Sequence, residues 1–208
     1  MLGSLGRLKA VIFDIGGVIE ITPRTGWGRR WALRLGLDEN ELASRLESAW
    51  AGGETGRRTL LEIERRTAES LELKIGDLRA LMEDVWREYL GTLNVELAEY
   101  FAALRPRFRT ALLSNSFVGA RERERAAYAL ERLCDVVVYS HEEGMTKPDP
   151  RIYQLVCQRL GVRPSEAVFV DDTEVCISGA KRAGLTAVQF RDTQQTIAEL
   201  NSHLTPPT

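Results

Sequence analysis

Six positions in this sequence carry side chains suited to chemistry, and each stands at the end of a short apolar run or in a loop beyond one. Asp14 closes the run Ala10–Phe13 and is followed by Gly16–Gly17. Ser114–Asn115 closes Thr110–Leu113, Lys147 lies in the loop Ser140–Pro150, and Asp171–Asp172 closes Ala167–Val170. Brought together, these groups place three carboxylates, a hydroxyl, an amide and an ammonium in one site. Carboxylates at close quarters raise one another's pKa. A hard divalent cation removes the conflict, and Mg²⁺ characteristically takes one or two carboxylates together with water and substrate phosphate. The ammonium of Lys147 adds positive charge for an anionic substrate. A carboxylate, a metal and a lysine are the parts needed for phosphoryl transfer through an aspartyl-phosphate.

Such a site requires a fold that gathers distant chain segments at one edge. The runs Ala10–Phe13, Thr110–Leu113, Val136–Tyr139, Ala167–Val170 and Thr186–Phe190 are β-branched, apolar and too short for helices, so they read as buried strands. Between them lie helical patterns over Val95–Leu104, Ala120–Leu133, Pro150–Leu160, Ser178–Ala183 and Thr193–Leu200, with Gly161 and Gly184 as stops. Alternating strands and helices predict an α/β fold: a doubly wound, Rossmann-like parallel sheet with right-handed crossovers. In such sheets ligands bind outside the carboxyl ends of the strands, where all six positions fall.

The stretch from Thr22 to Leu93 has helical periodicity and no strand pattern. Trp27, Trp31 and Leu35 are spaced by four, as are Leu42, Leu46 and Trp50, behind an N-capping Asp38. Thr59–Leu71 and Asp77–Leu90 predict two further amphipathic helices, and all four tryptophans fall in this block. The expected organisation is a catalytic core of residues 1–19 and 95–208 with an inserted helical cap of residues 20–94.

The bulk numbers narrow the classes. The 208 residues are 44% hydrophobic, and 28 basic against 30 acidic residues leave a net charge of −2. That balance points away from nucleic acid and anionic membrane partners. Cys134, Cys157 and Cys176 form no metal spacing and read as reduced thiols. No apolar segment approaches the ~20 residues of a transmembrane helix, and no signal-peptide pattern precedes Asp14. A cytoplasmic monomer or homodimer acting on a small molecule is the expectation.

Four segments, in order, resemble the motifs of the haloacid dehalogenase-like hydrolase superfamily. They are Phe13–Asp14–Ile15–Gly16–Gly17–Val18, Leu112–Leu113–Ser114–Asn115–Ser116, the loop from Ser140 through Lys147–Pro148–Asp149–Pro150 to Tyr153, and Phe169–Val170–Asp171–Asp172 with Gly179–Ala180. The helical insertion resembles the cap that one subfamily, which includes the N-terminal domain of soluble epoxide hydrolase and related sugar phosphatases, places between its first two motifs. The resemblance implies a Mg²⁺-dependent phosphatase of a small phosphorylated metabolite. Asp14 would be the nucleophile and a Mg²⁺ ligand, with the carbonyl of Gly16 as a second ligand. Ser114 and Asn115 would bind the transferred group and Lys147 would neutralise it. Asp172 would bind Mg²⁺ directly, with Asp171 beside it through water.

Two positions depart from the pattern. Most phosphatases of the superfamily carry an acid–base aspartate two residues after the nucleophile, where this chain has Gly16; Glu20 or a cap residue is the candidate replacement. Cys176 stands where relatives often carry Asn. Two other readings therefore stay open: a 2-haloacid dehalogenase using Asp14 on carbon without metal, and a catalytically weak relative that binds phosphate or a partner. Simpler roles also stand beside the chemical ones. Asp171 could cap the next helix, Ser114 could cap the helix that follows it, His141 reads as a loop residue, and the tryptophans read first as core.

Overall fold

Ala10–Phe13 forms β1, and all four of its side chains are fully buried. A run this apolar on both faces belongs at the centre of a covered parallel sheet. The computed structural model, which describes residues 8–205, places it there. With β4 (Arg109–Ser114), β5 (Val136–Tyr139), β6 (Ala167–Asp171) and β7 (Thr186–Gln189), it makes a five-stranded parallel sheet in the order β5–β4–β1–β6–β7. The register pairs Phe13 with both Leu112 and Val170. Asp14, Ser114 and Asp171 therefore end adjacent strands at one edge.

Successive residues of each strand serve opposite faces. Val11, Phe13, Leu112, Val168 and Val170 pack with Leu97 and Phe101 of α5 (Val95–Ala103), Phe13 stacking on Phe101 at 4.6 Å between ring centroids. Ile12, Leu113 and Phe169 face the other way, onto Ile152, Tyr153 and Val156 of α8 (Pro150–Leu160) and Ile177 of α9 (Glu174–Arg182). Each such buried side chain is worth about 1.5–3 kcal/mol. The sheet edge is thus held by covering helices on both sides, with α6 (Ala120–Tyr128) following β4 and α10 (Thr193–Leu204) closing the described chain.

Between β1 and α5 come α1 (Trp27–Leu35), α2 (Glu39–Trp50), α3 (Leu60–Leu71) and α4 (Ile75–Leu90). Trp31, Leu42, Leu46, Leu71 and Leu81 form a separate apolar cluster among them. Asp38 caps α2 through its side chain, and Thr59 with Glu62 makes a reciprocal capping box on α3. Among the described residues, no helix is long and apolar enough to cross a membrane.

The structure adds elements that the sequence pattern does not predict. Glu20–Ile21 (β2) and Thr92–Leu93 (β3) pair antiparallel, tying the two ends of the helical insertion together. Two residues are too few to show a period. The helix expected over Ala120–Leu133 stops at Tyr128, because Ala129 turns left-handed at φ 49° and a short 3₁₀ turn, Leu130–Arg132, carries Leu130 into full burial. The loop expected from Ser140 begins with one helical turn, α7 (Ser140–Glu143).

Candidate active site

Lys147 is the centre of the site. Its ammonium lies 2.7 Å from Asp14 Oδ1 and 2.6 Å from Asp171 Oδ2, and its side chain is 1% exposed. Two features hold it. The side-chain amide of Asn115 clamps the Lys147 backbone, Nδ2 donating to the carbonyl at 2.9 Å and Oδ1 accepting from the N–H at 2.7 Å. The Pro148 that follows lies so near Gly179 on α9 that a β-carbon there would stand 2.7 Å from the Pro148 Cβ. Gly179 thus permits the loop to sit flat on the helix.

Burial shifts each titratable group. It raises Asp14 to about 7, with Lys147 pulling down and Asp171 pushing up. For Lys147, burial pulls the pKa down, but Asp14 and Asp171 together leave it above the ordinary lysine value. Burial likewise pushes Asp171 up, and Lys147 and Thr173 more than offset it, so Asp171 stays below the ordinary range. The ammonium is firmly protonated, and of its two carboxylate partners Asp171 holds its charge the more tightly.

One carboxylate oxygen from each of Asp14, Asp171 and Asp172 falls within 4.8 Å of the others, a spacing that fits a single hard cation. The three are not equivalent. Asp171 Oδ2 accepts from Lys147, and Oδ1 accepts from the N–H of Thr173 at 2.8 Å and from its hydroxyl. Asp14 Oδ1 accepts from Lys147 and from the N–H of Ile15 at 2.8 Å. Among the described residues, Asp14 Oδ2 and both oxygens of the exposed Asp172 have no side-chain partner. Gly17 makes room for Asp172. It adopts φ +78°, and a β-carbon there would lie 2.5 Å from Asp172 Oδ2. Burial and the neighbouring Asp171 raise the Asp172 pKa, as expected for a carboxylate awaiting a positive partner.

These groups open into a cavity of about 740 Å³ lined by Asp14, Gly16, Asn115, Lys147, Asp172 and Cys176, with Thr22 and Arg191 at its wall. Ser114 ends β4 beside Asp14's strand, but it is 3% exposed and does not line the cavity. With the Asn115 side chain committed to Lys147, the main-chain amide of that residue is the group left to meet an anion. Cys176 lies in the wall, and its carbonyl accepts from the Tyr153 hydroxyl at 2.8 Å. Glu20, the candidate replacement acid, is 1% exposed and absent from the lining. Burial raises it to about 9, with Glu124 the next cause and Asp14 after it. His141 pairs with Ser116 at 2.7 Å, away from Asp14.

Thr173 and the Asn115 clamp are contributions that motif reading passes over. Thr173 carries a signal, since a residue two beyond an aspartate commonly donates back to its carboxylate in an Asx turn. The clamp joins residues 32 apart and has no local signature.

A sequence profile of haloacid dehalogenase-like hydrolases matches residues 8–184. The chain is 30% identical over 194 residues to D-ribitol-5-phosphate phosphatase of Bacteroides thetaiotaomicron, covering 88% of this chain and 91% of that enzyme. It is 30% identical over 199 residues to (S)-2-haloacid dehalogenase 1 of a Pseudomonas species, covering 88% and 84%. Against the bifunctional epoxide hydrolase 2 of Sus scrofa it is 26% identical over 212 residues, 93% of this chain but 38% of that longer enzyme. A Bacteroides thetaiotaomicron enzyme solved with magnesium and inorganic phosphate shares the fold, with a TM-score of 0.76 at 22% identity over 88% of this chain and 94% of that one.

Proposed function

Because the chain belongs to the haloacid dehalogenase-like hydrolases, and is a hydrolase, we propose that it cleaves a small phosphorylated metabolite through an aspartyl-phosphate on Asp14 with Mg²⁺ as cofactor. The observation that carries this reading is the division of labour around Lys147: one carboxylate, Asp171, fixes the ammonium, while Asp14 keeps Oδ2 free. Asp14 Oδ2 attacks phosphorus, and the ester P–O bond breaks with its electron pair leaving on the alcohol oxygen. Water then attacks phosphorus and releases a proton to solvent, which balances the proton the departing alkoxide takes up, the bond to Asp14 breaks, and inorganic phosphate departs as the carboxylate reforms. Lys147 and the main-chain amide of Asn115 balance the charge of the transferred group, with Ser114 behind them. Asp14, Asp172 and the Gly16 carbonyl would hold Mg²⁺, which supplies electrostatic stabilisation of the phosphoryl oxygens when bound. Asp171 acts chiefly as a positioning residue for Lys147. Residues 20–94 form the cap over this core of 1–19 and 95–208, and cap closure excludes water.

Support comes from the phosphatase relative and from the fold neighbour carrying magnesium and phosphate. The haloacid dehalogenase relative keeps a second reading in view, since Gly16 leaves the position two residues after the nucleophile free of an acid. The three converging carboxylates favour the metal-dependent reading over it. Release of nitrophenol from para-nitrophenyl phosphate, with Mg²⁺ and with chelator, separates the two. The expected result is Mg²⁺-dependent turnover that Asp14→Asn abolishes. Dechlorination of a 2-chloro acid in chelator, with no phosphate release in Mg²⁺, would establish the dehalogenase reading instead.

A further inference from the structure

A second cavity, of about 580 Å³, lies where α2 and α4 face the loop after β4. Asn115 lines both cavities, so the second neighbours the first at the residue that clamps Lys147. Its wall is aromatic: Trp50, Trp86, Tyr89 and Phe117 stand in a chain of ring contacts 5.2–6.4 Å apart, beside Met82 and Val85. The close seating of the neighbouring loop is built in, since a β-carbon on Gly53 would lie 2.3 Å from the Phe117 ring.

Some polar atoms of this wall are engaged already, while Trp86 Nε1 is buried without a partner among the described residues. Trp50 Nε1 donates to Thr67 Oγ1 at 3.0 Å, Ser116 Oγ pairs with His141, and both ends of the Asn115 side chain hold Lys147. The charged residues lining the cavity are Glu47 and Glu54, and no basic residue joins them. A second phosphate or a carboxylate would meet two acids, whereas a flat apolar ring would lie against the four aromatic side chains. The reacting end supplies a second, independent observation. Gly16 has no side chain, Glu20 is buried outside the cavity, and the only carboxylates lining the first cavity are Asp14 and Asp172. Among the described residues, the first cavity therefore holds no carboxylic acid beyond the proposed nucleophile and metal ligand, and the acids of the second are Glu47 and Glu54. A phenol ionises near 10, about the tyrosine value, whereas an alkanol lies close to water at about 15.7.

Resting on the phosphatase reading, we propose that this enzyme prefers aryl phosphomonoesters, whose flat, apolar leaving group fills the aromatic cavity and, being acidic, has little need of the proton that Gly16 cannot supply. Polyol phosphates are disfavoured by their more basic alkoxide, and diacid phosphates by that and by Glu47 and Glu54.

The test is kcat/KM of the unaltered protein in Mg²⁺ for phenyl phosphate, a series of substituted phenyl phosphates, ethyl phosphate and ribitol 5-phosphate, with Asp14→Asn as control. The expected result is phenyl phosphate above ribitol 5-phosphate by about 100-fold or more, the scale on which an apolar pocket rejects added hydroxyls. Rates should also rise steeply with the acidity of the phenol. Trp86→Leu should then lower kcat/KM at least about fivefold more on phenyl than on ethyl phosphate, mostly through KM, from lost ring contacts; Phe117→Leu serves if that variant does not fold. Ribitol 5-phosphate turned over as well as phenyl phosphate, with Asp14→Asn inactive on both, overturns this inference and leaves the phosphatase reading standing. Turnover of none of the esters overturns both.

Discussion

Replacing Gly16 by Asp should convert the leaving-group dependence of this enzyme, and the structure sets the terms. Gly16 is exposed and lines the cavity that holds Asp14. Its backbone is outside the left-handed region, and an added β-carbon meets nothing within 4 Å. The substitution therefore introduces a carboxyl at the reacting end without displacing a neighbour. A positioned general acid is worth about 10²–10⁴-fold. That gain should appear on ethyl phosphate, whose alkoxide needs a proton, and should stay within about threefold on para-nitrophenyl phosphate, whose phenolate does not. Stability should change little. Loss of glycine's freedom in the unfolded chain favours the variant by about 0.4–1 kcal/mol, and crowding a further carboxylate beside Asp14 and Asp172 opposes it. The assay is kcat/KM for both esters in saturating Mg²⁺, with urea unfolding in chelator as the check on fold. If Gly16→Asp accelerates both esters equally, or if the unaltered protein already cleaves ethyl phosphate as fast as the aryl ester, another group delivers the proton and the reasoning from the missing side chain is wrong.

Three further outcomes follow from the same geometry. Gly17→Ala puts a β-carbon 2.5 Å from Asp172 Oδ2 at a left-handed φ, so the Mg²⁺-induced rise in melting temperature should vanish; an unchanged Mg²⁺ response would show that Asp172 is not a ligand. Lys147→Met leaves Asp14 and Asp171 buried and facing each other without their counter-charge, which should cost about 3–5 kcal/mol in urea unfolding at neutral pH and eliminate turnover. Glu20 rises from 4.5 to about 9, with burial as the main cause, so the folded chain keeps a proton that the unfolded chain releases above its ordinary pKa. Stability therefore falls as pH climbs through that window. Glu20→Gln should flatten the slope by up to about 1.4 kcal/mol per pH unit, and parallel unfolding curves for the two proteins would contradict it.

Much of the fold is legible because buried parallel strands announce themselves. Ala10–Phe13 and Ala167–Val170 are unbroken apolar runs with acids at their ends, and a parallel sheet can only bring those ends to one edge. The meeting of Asp14, Lys147, Asp171 and Asp172 follows from that topology. What escapes the sequence is whatever depends on contacts between distant residues. The β2–β3 ribbon joins Glu20 to Leu93 through two-residue strands that have no period. Ala129 ends α6 in a left-handed turn without the glycine that normally signals one. Adjacent aspartates look interchangeable on paper, yet Asp171 is fully buried with its oxygens held by Lys147 and Thr173, while Asp172 is exposed and open. The tryptophans divide in a way spacing does not show: Trp31 is core, and Trp50 and Trp86 also face a cavity.

The account stands most directly on whether phosphorus becomes bonded to Asp14. Rapid acid quench during turnover of para-nitrophenyl phosphate in Mg²⁺, followed by peptide mass spectrometry, measures this. The account predicts one phosphoryl group on the peptide carrying Asp14, absent in chelator and absent in Asp14→Asn. Steady turnover with no phosphorylated peptide, or with the group on another residue, would contradict it.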